Sequence, residues 1–224
     1  MTANNTIIKC KGLLFDMDGT LVDCTPCVEK HWTNFCRTHG INEKELLSNC
    51  HGVRTVETLR RYAPNLATDE IVNELEARAG FDTDGVIPIV GVPELLPSLI
   101  KNTWAIVTSA SRPVAEFRLN HQRYPLPEIL ITADEVTNGK PHPEGYLLAA
   151  KKLNIAPSEC VVFEDATAGI DAASNAGMKS IGILTSHTKD RLVGAALHIQ
   201  HFNELNIIFD PISEYYTISL KEAN

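Results

Sequence analysis

Short apolar runs that stop at polar groups recur along the chain. Residues 13–15 (LLF) run into Asp16, residues 103–109 (TWAIVTS) end in hydroxyls, residues 128–132 (EILIT) end in a threonine, and residues 160–165 (CVVFED) end in two acids. Runs this short, apolar without alternation, suit strands buried on both faces. A fifth, SIGIL, covers 180–184. Helical stretches lie between them at 94–100, 112–121, 143–153 and 168–176. Tyr146, Ala150 and Leu153 share one face of the third, and Gly177 stands after the last in the place of a C-terminal glycine cap. This βαβα alternation predicts an α/β fold with a parallel sheet covered by helices on both faces. Ligands of such sheets bind beyond the carboxyl ends of the strands.

The segment after the first strand breaks the rhythm. Residues 26–39 read as a helix with Trp32 and Phe35 on one face, and residues 41–80 as further, more charged helices with Leu46, Leu47, Val56, Leu59, Ile71 and Leu75 as their apolar contacts. Gly85, Pro88, Gly91 and Pro93 then mark a boundary. The tail from 211 to 224, with Tyr215, Tyr216, Ile218 and Leu220, predicts a small structural strand pair.

Composition narrows the function classes. The 224 residues carry a formal charge of −8, which argues against a chain built to coat nucleic acid. No apolar run reaches the length of a membrane span. The first ten residues, MTANNTIIKC, lack the pattern of a signal peptide, so a cytoplasmic protein with reduced thiols is expected. Cys24-Thr-Pro-Cys27 has the spacing of a redox pair or of half a zinc site. There is no second such pair, and the strand-to-helix turn that a redox motif uses is taken by aspartates, so these cysteines read as small residues at the start of a helix. Nothing in the sequence marks a self-complementary stripe, and a monomer is expected.

The chemistry collects where the strands end. Asp16 and Asp18 follow the first strand, Thr108, Ser109 and Ser111 follow the second, Lys140 follows the third, and Glu164 and Asp165 end the fourth. Carboxylates from two strand ends make a hard-oxygen cage suited to Mg²⁺. Lys140, at a helix start, and a serine hydroxyl suit a phosphoryl group. Gly19 and Thr20 continue the first loop, and a glycine lets backbone N–H groups approach phosphate oxygens closely.

In its motifs the chain resembles the haloacid dehalogenase superfamily, in the branch of small sugar- and polyol-phosphate phosphatases with a helical cap. The residues that carry the resemblance are DMDGT (16–20), AIVTSAS (105–111), GKPHPEGY (139–146) and VVFEDATAGIDAASNAGM (161–178), in the family's order over nearly the whole chain. It implies a Rossmann-like, doubly wound core formed by residues 1–24 and 89–224, with an all-helical cap inserted at 25–88. By the same resemblance Asp16 is a nucleophile that forms an aspartyl-phosphate, and Asp18 is the general acid and base. Mg²⁺ would be held by Asp16, the Asp18 backbone carbonyl and Asp165, with Glu164 nearby or a ligand through water. Gly19, Ser109, the Ala110 backbone and Lys140 would bind the phosphoryl group. Arg54 is the first candidate to read a small phosphorylated metabolite from the cap, followed by Glu29, His51 and Arg112.

The implied activity is hydrolysis of sugar or polyol phosphates. Dehalogenases of the superfamily lack the second aspartate, which Asp18 supplies, and phosphonatases use a cap lysine, for which Lys30 is in the general region. β-Phosphoglucomutases carry a cap histidine ten residues after the second aspartate, where Val28 stands here, with His31 one turn further. Mutase-type phosphoryl transfer is the alternative, followed by a non-catalytic phosphate-ligand binding protein on a retained fold.

Overall fold

The computed structural model describes residues 6–222, so the readings that touch residues 1–5 and 223–224 lie partly outside it. In chain order the strands are β1 (Ile8–Cys10), β2 (Gly12–Phe15), β3 (Val22–Asp23), β4 (Ile87–Pro88), β5 (Trp104–Val107), β6 (Leu130–Ile131), β7 (Cys160–Glu164), β8 (Lys179–Ile183), β9 (Leu197–Ile199), β10 (Leu205–Asp210) and β11 (Tyr215–Leu220). The α-helices are α1 (Thr25–His39), α2 (Glu43–Cys50), α3 (Thr55–Tyr62), α4 (Asp69–Gly80), α5 (Val92–Leu95), α6 (Arg112–His121), α7 (Glu144–Leu153) and α8 (Thr167–Asn175).

Six strands form one parallel sheet in the order β6-β5-β2-β7-β8-β9. β2 sits inside it, with Phe15 level with Ile106 of β5 and Phe163 of β7. Side chains alternate across the pleat, so Leu13 and Phe15 enter one core layer and Leu14 the other. Leu14 and Val162 pack against Tyr146, Ala149 and Ala150 of α7 and Ala172 and Ala173 of α8. On the opposite face Phe15 stacks on Phe163, with ring centroids 4.7 Å apart, above residues of α5 and α6. Each large side chain taken fully out of water here contributes about 1.5–3 kcal/mol.

The helical insert has its own small core of Cys36, Leu46 and Cys50, with Trp32, Ile41, Leu47 and Tyr62 against it. Its helices are bounded by local chemistry. Gly40, at φ 65°, ends α1 in the left-handed conformation that glycine adopts freely, the Asn42 side chain accepts the Glu45 N–H to start α2, and Thr68 accepts the Ile71 N–H to start α4. The two segments that join the insert to the sheet pair with each other as a short antiparallel ribbon, Val22 opposite Pro88 and Asp23 opposite Ile87.

Three elements differ from expectation. The helix predicted at 94–100 begins at Val92 and tightens to a 3₁₀ turn at Leu96–Ser98, because Pro97 has no N–H to give to the carbonyl one α-turn back. The tail hairpin starts earlier, at Leu205, and β11 pairs with β1 as well as β10, tying the two ends of the chain together. β9, only Leu-His-Ile, adds a strand that its length hides in the sequence. Among the described residues no helix is long and apolar enough to cross a membrane.

Candidate active site

The strand register brings the predicted groups together. The Asp16 N–H donates to the Phe163 carbonyl at 3.0 Å, so the chain leaves β2 directly beside the end of β7. Lys140 arrives from the loop before α7. Its Nζ donates to Asp16 Oδ1 at 2.5 Å, to Glu164 Oε1 at 2.6 Å and to the Val107 carbonyl at 3.1 Å. The Tyr146 hydroxyl donates to the same Glu164 oxygen at 2.7 Å. Asp16, Lys140, Glu164 and Asp165 are all buried.

Burial pushes the Asp16 carboxyl up to about 8, the charge of Glu164 adds to this, and Lys140 opposes it. Burial, then the neighbouring Asp16, raises Asp165 well above the ordinary carboxylate range. Burial works against the Lys140 ammonium, but the charges of Asp16 and Glu164 outweigh it and hold the group above its ordinary value.

A divalent cation fits this excess of negative charge. Oxygens of Asp16, Glu164 and Asp165 lie within 4.8 Å of one another, and Asp16 Oδ2 is buried with no hydrogen-bond partner. Both Glu164 oxygens are engaged, Oε1 by Lys140 and Tyr146 and Oε2 by the Ala166 N–H at 3.3 Å. Asp165 is oriented by the Thr20 hydroxyl at 3.5 Å and by Ser186, whose hydroxyl donates to its carboxylate. Two glycines make room. A Cβ on Gly169 would meet Glu164 at 1.8 Å, and one on Gly19, at φ 83°, would meet Asp165 Oδ2 at 1.9 Å.

This electrostatics predicts a pH-dependent response to metal. An acid whose pKa rises on folding takes up a proton as it folds. Stability from Asp16 is therefore complete below its ordinary 3.8 and is lost as pH climbs toward 8, at no more than about 1.4 kcal/mol per pH unit for each proton. A cation between the carboxylates removes that loss, so Mg²⁺ is expected to raise Tm more near pH 8 than near pH 5. Thermal melts at both pH values check this, and equal shifts would contradict it.

Asp18 faces a cavity of about 120 Å³ that Asp16, Ser109, Asp165 and residues of α1 and α4 also line. Its carboxylate accepts from Arg118 Nη1, and from the Cys24 thiol at 3.1 Å. Arg118, 5% exposed, also donates to the Ala79 carbonyl at the end of α4 at 3.1 Å, so one core side chain holds both Asp18 and the insert. Sequence reasoning missed Arg118. The available signal was its place on the Val114, Ala115, Leu119 face of α6, where a charge must find a partner.

The other candidates are placed differently. Ser109 Oγ donates to the Gly52 carbonyl of the insert at 2.9 Å, and the Ala110 N–H to Thr108 Oγ1 at 3.1 Å. Arg54 donates to the carbonyls of Val136 at 3.1 Å and Thr137 at 2.9 Å and pairs with Glu57 at 2.6 Å, which holds the insert against the loop carrying Lys140. Arg54 lines the small recess beside Lys140 and Ser109, not the Asp18 cavity. Arg112 is engaged by Glu116 and Glu135, away from that cavity. His51 lines the cavity and meets Glu29 at 3.2 Å, while Lys30 pairs with Asp82 and Asp84. Cys24 and Cys27 point apart, to Asp18 and to the Ala79 and Asp82 carbonyls, so they do not act as a pair.

Known proteins resemble this chain in sequence and fold. Residues 13–183 match the model of the family described as haloacid dehalogenase-like hydrolase. The chain is 39% identical to hexitol phosphatase A of Escherichia coli, over 91% of this chain and 97% of that one. It is 34% identical to glycerol-1-phosphate phosphohydrolase 2 of Saccharomyces cerevisiae, over 86% of this chain and 82% of that one. Among solved structures, β-phosphoglucomutase from Clostridium difficile superposes with a TM-score of 0.75 at 26% identity, over 88% of this chain and 93% of that one. With the strand-end carboxylates, the buried lysine and the helical insert in place, the chain belongs to the haloacid dehalogenase-like hydrolase family.

Proposed function

We propose that this protein hydrolyses the phosphate monoesters of small sugars or polyols, with Mg²⁺ as cofactor. The observation that carries the reading is Lys140 bridging Asp16 and Glu164 while the second oxygen of Asp16 stays unpartnered at the cavity. The names of the similar phosphatases support the substrate class. The cavity beside Asp16 and Asp18, with His31, His51, Ser109 and Ser111 among its lining, is where the substrate would sit.

In this reading one Asp16 carboxylate oxygen attacks phosphorus while the other would face the metal, and the bond from phosphorus to the ester oxygen breaks. Asp18 gives its proton to the departing alkoxide. It then takes one from the water that attacks the aspartyl-phosphate, which releases phosphate and restores Asp16. Lys140 holds the phosphoryl oxygens, joined by Ser109 and the Gly19 and Ala110 N–H groups once substrate displaces their present acceptors, the Gly52 and Val22 carbonyls and the Thr108 hydroxyl. Asp16, Asp165 and the Asp18 carbonyl would hold the metal, with Glu164 acting through water while it anchors Lys140. When bound, the ion supplies the positive charge that lets a carboxylate approach a phosphate. Arg54 clamps the insert and reads the substrate from the edge of the site.

Residues 1–24 and 89–224 form the core in this proposal, and 25–88 the cap, a division the β3–β4 ribbon supports. We read the protein as a cytoplasmic monomer without nucleic-acid or membrane partners. The charge of −8 and the spread of exposed Phe81, Val193 and Ile212 over separate segments support this.

Arg118 fixes where Asp18 sits, so Arg118→Met is expected to lower kcat by up to about 100-fold with a smaller change in KM. A kcat within twofold of wild type would remove Arg118 from the mechanism. The function itself is tested by phosphate release from hexitol, glycerol, deoxyhexose and nucleoside monophosphates, with Mg²⁺ and with EDTA. Release that follows the metal and ranks polyol and sugar phosphates first is expected. Isomerisation of a hexose phosphate without release would favour the mutase, and no reaction with any substrate would favour a binding protein.

A further inference from the structure

We propose that Cys27, His31 and Asp82 form a second metal site, on the insert, for a thiophilic divalent ion of the Zn²⁺ type. Cys27 and His31 are four residues apart on α1 and share one face of the helix. Asp82 comes from the opposite end of the insert, just after α4. The three ligand atoms lie within 4.8 Å of one another, and His31 Nε2 is 2.9 Å from Asp82 Oδ2. The site shares no residue with the carboxylate cage.

The donor set selects the ion. One sulfur, one imidazole nitrogen and one carboxylate oxygen suit Zn²⁺ or Co²⁺ and disfavour Mg²⁺, which prefers oxygen. Cys27 is 1% exposed, and its sulfur meets the carbonyls of Ala79 at 3.5 Å and Asp82 at 3.6 Å, weak partners that leave its coordination free. Asp82 Oδ1 already accepts the Asp84 N–H at 3.0 Å, which fixes the carboxylate and leaves Oδ2 turned to the histidine. Lys30 Nζ, 2.7 Å from Oδ2, is the competitor. It is 44% exposed and free to swing into water when the ion arrives. Binding displaces the thiol proton to solvent and forms the metal–sulfur bond. His31 also lines the Asp18 cavity, so the site lies against that cavity's wall. An ion here would pin the first turns of α1 to the segment after α4, next to the β3–β4 ribbon.

The test is Co²⁺ titration of the full chain with Mg²⁺ in excess to fill the carboxylate cage, read by absorption. One equivalent is expected to give a thiolate-to-cobalt band in the near ultraviolet with visible d–d bands, and Zn²⁺ should bleach them. Cys27→Ser should abolish the thiolate band, while Cys24→Ser and Asp16→Asn keep it. His31→Gln, at a more exposed position, is expected to weaken Co²⁺ at least tenfold, and Lys30→Gln to tighten it. If Cys27→Ser does not fold, the His31→Gln and Lys30→Gln titrations decide alone. No thiolate band in the wild-type protein, a band that survives Cys27→Ser, or affinities indifferent to both His31→Gln and Lys30→Gln would overturn the proposal.

Discussion

Asp16→Asn is expected to reduce phosphate release by roughly 10⁴-fold or more. The amide keeps the shape of the carboxyl and loses the nucleophile. Its effect on stability should run the other way. Asp16 is buried, and that burial pushes its carboxyl up to about 8, so at neutral pH it must either take up a proton or carry its charge at a cost. A neutral amide removes that cost and one side of the repulsion with Glu164 and Asp165. Without metal, the variant should melt at or above the wild-type temperature, and Mg²⁺ should stabilise it less. Activity within tenfold of wild type would sink the assignment of the nucleophile. An inactive variant that melts far lower would mean that the fold had been lost and not the chemistry.

Lys140→Met is expected to damage both fold and activity. The ammonium touches two buried carboxylates and one carbonyl, and methionine fills the space without the charge. Removing one partner of a buried ion pair costs about 3–5 kcal/mol. For a chain of this size that corresponds to a fall in Tm of roughly 10 °C. In the proposed mechanism the phosphoryl group loses its main cationic contact, so kcat should fall by about 100-fold or more. Mg²⁺ should restore much of the stability, because it replaces the missing charge, and little of the turnover. A Tm within two or so degrees of wild type would contradict the central place given to Lys140.

The strand ends were readable because each pairs a short apolar run with polar residues that have no reason to stop a buried strand. Asp16, Ser109 and Asp165 stand at three such points, the loop after a fourth delivers Lys140, and the parallel fold that the alternation implies leaves them one meeting place. What stayed hidden depends on contacts between distant elements. A buried Arg118 and a half-buried Arg112 look alike on paper, and only the approach of Asp18 and Ala79 tells them apart. Arg54 stood out as an insert residue near the site, while its bonds to Val136 and Thr137, which also brace insert against core, did not. The double engagement of Glu164 Oε1 follows from Tyr146 and Lys140 reaching it across the second core layer, which no spacing announces. Three-residue strands such as β9 have too few positions for any period to register.

Because Val22 and Asp23 pair with Pro88 and Ile87, the insert departs from the sheet and returns to it at a single seam. Helices within that seam can be lengthened, exchanged or reshaped without moving the register of β2, β5 and β7, on which Asp16, Ser109 and Asp165 depend. On the proposed function, changes within the insert can alter what the cavity admits while the sheet keeps the attacking groups in place.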